Sequence, residues 1–147
     1  MMNELRALLE ADEGVVHCVY ADTLGNASTG IGHLIVAADA ESGWPVGTAV
    51  SAERVTQLFN QDIKVALADA LWLQPDLEEW PVTVQITVVS LAFQLGQPRY
   101  STFVKHHRAL EDQHWMTAAA ELRDSKLYRQ TPERTERHAQ RLESAAA

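Results

Sequence analysis

Glu13, Asp22 and Ser28 crowd into one short N-terminal stretch, and their side chains suit the cleavage of a glycosidic bond. That reaction needs a carboxylic acid to protonate the leaving oxygen and a second carboxylate across the bond. Glu13 falls at the end of an apolar-periodic stretch and Asp22 in a turn-like string, so the two could face each other across a strand pair. Acidic residues at helix ends and turns also serve as solvated or capping groups, and residue type alone leaves both readings open.

The elements that must position these groups follow from periodicity. Leu5, Leu8 and Leu9 recur at helical spacing between Asn3 and Ala11, and Gly14 is the stop signal. From Val15 to Val36 the pattern changes to short strands and tight turns. Val15, Val16 and Val19 are β-branched, Asp22-Thr23-Leu24-Gly25-Asn26 reads as a turn, and Ser28-Thr29-Gly30-Ile31-Gly32 follows. Ala37 to Gly47 is irregular. Ser51 is placed to cap a helix with Val55, Leu58, Phe59, Ile63, Ala66, Leu67 and Leu71 on one face, ended by Pro75. Val82 to Leu95, after Pro81, is apolar nearly all round and predicts a central buried helix that stops at Gly96. Ser101 is expected to cap a helix to about Glu111, another runs from Trp115 to Leu127, and Thr131-Pro132 opens the last with Thr131 as its cap. Ser144 to Ala147 is expected to fray. The predicted fold is α+β and predominantly helical. One domain covers residues 1–147: a first helix (1–12) packs with the helical lobe, a small β-rich lobe spans 13–50, a larger helical lobe spans 51–147, and a cleft lies between the lobes. Such clefts are common ligand sites.

Composition narrows the classes of partner. The chain of 147 residues is 46% hydrophobic and 22% charged, an ordinary globular balance. Its net charge is −8, and the one basic concentration, Lys126 to Arg141, is interleaved with acidic residues, which argues against nucleic acid as a partner. Cys18 is the sole cysteine, so no intrachain disulfide forms and a reducing compartment suffices. The six histidines lack zinc-ligand spacing, so neither a metal nor a cofactor is expected. Apolar runs fall short of a membrane span, and the N-terminus lacks the features of a secretory signal. The expectation is synthesis in the cytoplasm, with a separate agent providing release.

The local strings decide between the open readings. Asp12-Glu13-Gly14, Tyr20-Ala21-Asp22 and Ser28-Thr29-Gly30-Ile31-Gly32-His33 resemble the active-site segment of the phage-type lysozymes, glycoside hydrolase family 24. The resemblance continues through Leu58-Phe59-Asn60-Gln61-Asp62, Phe93-Gln94-Leu95-Gly96 and Gln130-Thr131-Pro132-Glu133-Arg134, in order and at near-family spacing over most of the chain. It implies a muramidase that hydrolyses the β-1,4 bond between N-acetylmuramic acid and N-acetylglucosamine of bacterial peptidoglycan. Glu13 would be the general acid, while Asp22 and Ser28 would hold a water on the opposite face and invert the anomeric carbon. Ser28 stands where the family has threonine; it keeps the hydroxyl and loses a methyl, which frees χ1. Thr29, one residue on, would point to the other face of its strand. Arg134 would pair with Glu13, although without the resemblance it reads as a solvated arginine. His33 and Asp62 match a structural ion pair. Leu34, Phe93 and Gln94 match substrate positions; Leu34 and Phe93 could equally be core, and Gln94 suits a hydrogen bond to a sugar amide. Trp44 could stack on a sugar or pack within the small lobe. The family reading further implies a monomer made in an infected bacterial cell and released by a membrane-permeabilising holin.

Departures from the family pattern keep rivals open. The stretch between His33 and Phe59 is short enough to remove most of a small-lobe helix and open one rim of the cleft. His106 and Glu121 replace smaller neutral groups at two substrate positions, so those roles are not carried over. The acidic charge would weaken long-range attraction to anionic walls. A catalytically inactive lysozyme-fold protein that grips peptidoglycan is the first alternative, and an unrelated all-helical interaction protein is the second.

Overall fold

A computed structural model describes residues 1–146. The chain divides into two compact units, Met2–Lys64 and the residues from Val65 onward, and the division falls within one long helix.

The first unit opens with α1 (Met2–Glu13), which buries Leu5 and Leu9. Gly14 ends it: its amide bonds the Glu10 carbonyl at 2.9 Å and its φ of 74° is the left-handed conformation glycine adopts at helix ends. Three antiparallel strands follow in the order β1 (Val16–Ala21), β2 (Ala27–Gly30) and β3 (His33–Leu34). Tyr20 pairs with Ser28 and Ser28 with Leu34, so these three side chains form one row across the sheet. Val19, Thr29 and His33 alternate to the opposite face and are buried. On that face the Thr29 hydroxyl donates to the Cys18 carbonyl at 2.9 Å, as its strand position predicts.

Residues 35–51 carry no helix. They run back along the free edge of β1, where Val19 N bonds Thr48 O at 2.9 Å and Val50 N bonds His17 O at 2.9 Å. Two charged groups pin this stretch inward: Asp39, bonded to His33, and Glu41, only 1% exposed, bonded to Arg54. Helix α2 (Ala52–Leu73) then starts at Ser51, whose hydroxyl accepts the Arg54 amide at 3.1 Å, the cap its sequence position predicts. Within this unit α1 is tied to α2 by Arg6, which donates to Asn60 at 2.5 Å and lies over the Phe59 ring.

The second unit holds the end of α2, a 3₁₀ turn (Leu77–Glu79), α3 (Val82–Leu95), α4 (Gln97–Tyr100), α5 (Val104–Glu111), α6 (Trp115–Arg123), α7 (Lys126–Gln130) and α8 (Pro132–Ser144). Helix α3 buries every residue from Ile86 to Ala92 and is the centre of this unit, as its all-round apolar pattern predicts. It packs on α8, which also covers α6 and α7, and α6 covers α5. Burying a leucine such as Leu91, Leu122 or Leu142 contributes about 2 kcal/mol each.

Three local expectations need correction. The helix expected from Trp115 to Leu127 is two: α6 stops at Arg123, and Ser125 caps α7 by accepting the Tyr128 amide. Ser101 caps nothing, because its hydroxyl donates to the Pro98 carbonyl behind it at the end of the extra turn α4. Thr131 precedes α8, but its hydroxyl is drawn back to the Leu127 carbonyl instead of capping. These are the local bonds with which Ser and Thr compete against regular capping. Fraying is expected from Ser144, but α8 runs through Ser144 and the amides of Ala145 and Ala146 bond the Leu142 and Glu143 carbonyls; Ala147 lies outside the described residues.

Candidate active site

Glu13 closes α1, and its carboxylate lies directly on the backbone of Gly32, in the turn from β2 to β3. A Cβ on Gly32 would stand 2.5 Å from Glu13 Oε2 and 2.8 Å from Cδ, and Gly32 has φ of 63°. Only glycine satisfies both the approach and the backbone conformation. Asp22 follows β1 directly. Its Oδ1 accepts the amides of Leu24 at 2.9 Å and Asn26 at 2.8 Å, which builds an Asx turn and fixes the carboxylate at the sheet edge. The second oxygen, Oδ2, takes no part in that turn.

Tyr20 senses the charge of both carboxylates. Burial pushes its phenol pKa above the usual 10, and the negative charges of Glu13 and Asp22 push it further, so both acids lie within electrostatic reach of one ring. Directly across the strand pair stands Ser28, 5% exposed, whose hydroxyl has only a long contact of 3.5 Å to the Asn26 carbonyl. The next residue in the row, Leu34, is 51% exposed and so is no core residue. Trp44, in the stretch after β3, is 40% exposed. This part of the unit therefore combines two acids, a lightly bonded hydroxyl, and in Leu34 an apolar side chain open to solvent.

His33 holds the turn from behind. Its Nδ1 lies 2.7 Å from Asp62 on α2 and its Nε2 2.7 Å from Asp39. The Asp62 hydrogen bond, joined by Asp39 and opposed by burial, raises the His33 pKa to about 9, so the ring is an imidazolium that donates to both carboxylates. Burial alone would push the Asp39 carboxyl up, but the Val36 amide and His33 outweigh it and hold it below the usual range.

In the second unit, Phe93 and Gln94 occupy the last turn of α3 and Arg134 the first turn of α8; all three are half-buried. His106 and Glu121 line an open depression of about 430 Å³ with Phe103, Lys105 and Lys126. The His106 ring is committed: Nδ1 donates to the Ala118 carbonyl at 3.0 Å and Nε2 accepts the Tyr100 hydroxyl at 2.8 Å. Among the described residues, no group of three or more His, Cys, Asp or Glu side chains could hold a metal ion, and no helix is long and apolar enough to cross a membrane.

Sequence reasoning assigned no role to Tyr20, Gly32, Asp39 or His138. Tyr20 was findable, two positions before Asp22 on the same strand face, and Gly32 through its Gly30-x-Gly32 spacing. Asp39 gave no signal, because it lies in a stretch without periodicity.

A three-stranded antiparallel sheet near the N-terminus, followed by a larger helical part, is the lysozyme-like α+β fold. Similarity to known proteins agrees with it. Probable T4-type lysozyme 2 of Dictyostelium discoideum is 29% identical, over 93% of this chain and 92% of its own length. Probable T4-type lysozyme 1 of the same organism is 27% identical over the same shares. Peptidoglycan hydrolase gp36 of Pseudomonas phage phiKMV is 30% identical over 78% of this chain, which matches only 12% of that longer protein. No protein-family model matches the chain. These relatives, at 27–30% identity, support a phage-type lysozyme.

Proposed function

We propose that this enzyme is a muramidase that hydrolyses the β-1,4 bond between N-acetylmuramic acid and N-acetylglucosamine, with inversion at the anomeric carbon. A lysozyme-type peptidoglycan hydrolase is what the relatives support, and the residue roles below extend that proposal. Glu13 acts as general acid and protonates the glycosidic oxygen as an oxocarbenium-like transition state forms. Asp22, through Oδ2, and Ser28 hold the water that attacks from the opposite face, and the proton that water loses passes to Asp22. Leu34, Phe93 and Gln94 contact the glycan, and Arg134 supports Glu13 by its charge. His33 and Asp62 are structural. No metal or cofactor enters this chemistry. The protein works as a monomer, made in the cytoplasm of an infected bacterium and reaching the wall once a holin permeabilises the membrane.

The observations that carry the reading are the seating of Glu13 against Gly32 and the pairing of Ser28 with Tyr20 on the strand that leads directly into Asp22. The test is turbidity loss of outer-membrane-permeabilised Gram-negative cells with wild type and Glu13→Gln, both shown to be folded. Lysis is expected from the wild type, with a loss of about a thousandfold in the variant. No lysis by either protein, with wall pull-down retained, would replace the enzyme by an inactive peptidoglycan binder.

A further inference from the structure

His138 on α8 has no exposed surface, yet it makes polar contacts in two directions. Its Nδ1 lies 2.6 Å from Arg141 NH2, and its Nε2 lies 3.4 Å from Oε1 of Gln94 at the end of α3. Arg141 in turn reaches Thr87 on α3 through Nε at 3.3 Å, and the Thr87 hydroxyl donates to the Thr83 carbonyl at 2.8 Å. A guanidinium can only donate, so Nδ1 must accept. The ring proton therefore sits on Nε2 and faces Gln94 Oε1. Burial, then the charges of Arg141, Arg134 and Arg137 on α8, disfavour a second proton, so this tautomer persists at neutral pH. With Oε1 held inward, the NH2 group of the half-buried Gln94 is turned away from His138.

We propose that His138, oriented by Arg141, is a positioning residue that fixes the Gln94 amide so that its NH2 group donates to an acyl oxygen of the substrate. The substrate group it selects is the acetamido carbonyl of an N-acetylated sugar. The proposal rests on reading Gln94 as a substrate contact. Left unheld, the amide could flip and present its oxygen, which repels a carbonyl.

Two measurements test it. Nitrogen-15 shifts of the His138 ring in the wild type should show Nδ1 bare and Nε2 protonated between pH 6 and 8; the opposite tautomer overturns the proposal whatever the activity. The second measurement compares kcat/KM on N-acetylated and chemically de-N-acetylated glycan for Gln94→Leu, His138→Asn, His138→Gln and the Gln94→Leu/His138→Asn double variant, each checked by thermal unfolding. Asparagine keeps the acceptor for Arg141 and removes the contact to Gln94, whereas glutamine restores a donor near the Nε2 position. His138→Asn is expected to lower the preference for the N-acetylated substrate about tenfold, the scale of one lost hydrogen bond. His138→Gln should recover most of that preference, and His138→Asn should add nothing in the Gln94→Leu background. If Gln94→Leu loses the preference while His138→Asn keeps it, or loses activity equally on both substrates, His138 positions nothing and Gln94 stands as a contact. If Gln94→Leu itself changes nothing, the reading of Gln94 falls and the proposal falls with it.

Discussion

The two units put the same side chain to opposite uses. In the first, His33 stands between Asp62 and Asp39, and its pKa of about 9 keeps it charged through the physiological range. In the second, His106 and His107 sit beneath Tyr100 with every ring nitrogen bonded to a neutral partner. Nδ1 of His107 accepts from Gln74 and its Nε2 donates to the Tyr100 carbonyl. Burial pushes the His106 pKa down to about 3 and that of His107 below its usual value. One unit stabilises a charge with carboxylates beside a polar, partly open face, and the other excludes charge from an apolar helical core. Partners and burial, rather than residue type, decide the outcome.

The largest expected effect is on the acid side. His106 binds a proton in the unfolded chain below about pH 6.5 but not in the fold until about pH 3, so it stabilises the fold fully above 6.5 and that stability drains away between the two values. The loss amounts to on the order of 5 kcal/mol if the fold survives to pH 3. Urea unfolding from pH 7 to 4 should show stability falling steadily; a flat profile would break the comparison. Next comes the opposite limb. The raised pKa of His33 means that its contribution is complete below about pH 6.5 and is lost as the pH rises through about 9, on the order of 3 kcal/mol. His33→Asn should therefore cost that much at pH 6 and little at pH 10. An equal cost at both would mean that the ring packs without being charged. The smallest effect sharpens the contrast within the first unit. Gly32→Ala forces a methyl into Glu13 at a left-handed residue and is expected to lower stability by about 1–2 kcal/mol. It should also lower kcat/KM about tenfold or more by displacing Glu13, a shift of the size that costs much in rate. Unchanged kcat/KM with lowered stability would separate Gly32 from the chemistry.

How much of this was legible in the sequence depends on how local the cause is. Glu13, Asp22 and Ser28 fall within one short stretch whose glycines and strand alternation are readable, so their shared unit could be foreseen. The buried run of α3 is written in its own composition. The break between α6 and α7 turns on the Ser125 hydroxyl capping a new helix, a competition that helical periodicity does not register. Asp39 and Glu41 anchor the stretch after β3 through partners 6 and 13 residues away, within a segment that carries no pattern. Trp44 shows the same limit from the other side, because exposure depends on what the rest of the unit leaves uncovered.

The role of Glu13 as the acid of a glycosidase is the central claim. The direct measurement is analysis of purified peptidoglycan after digestion, reduced with borohydride to mark new sugar ends. The wild type should generate muramitol ends, and folded Glu13→Gln should generate about a thousandfold fewer per unit time. New muramitol ends at an undiminished rate from Glu13→Gln, or solubilised wall without new reducing ends from the wild type, would contradict it.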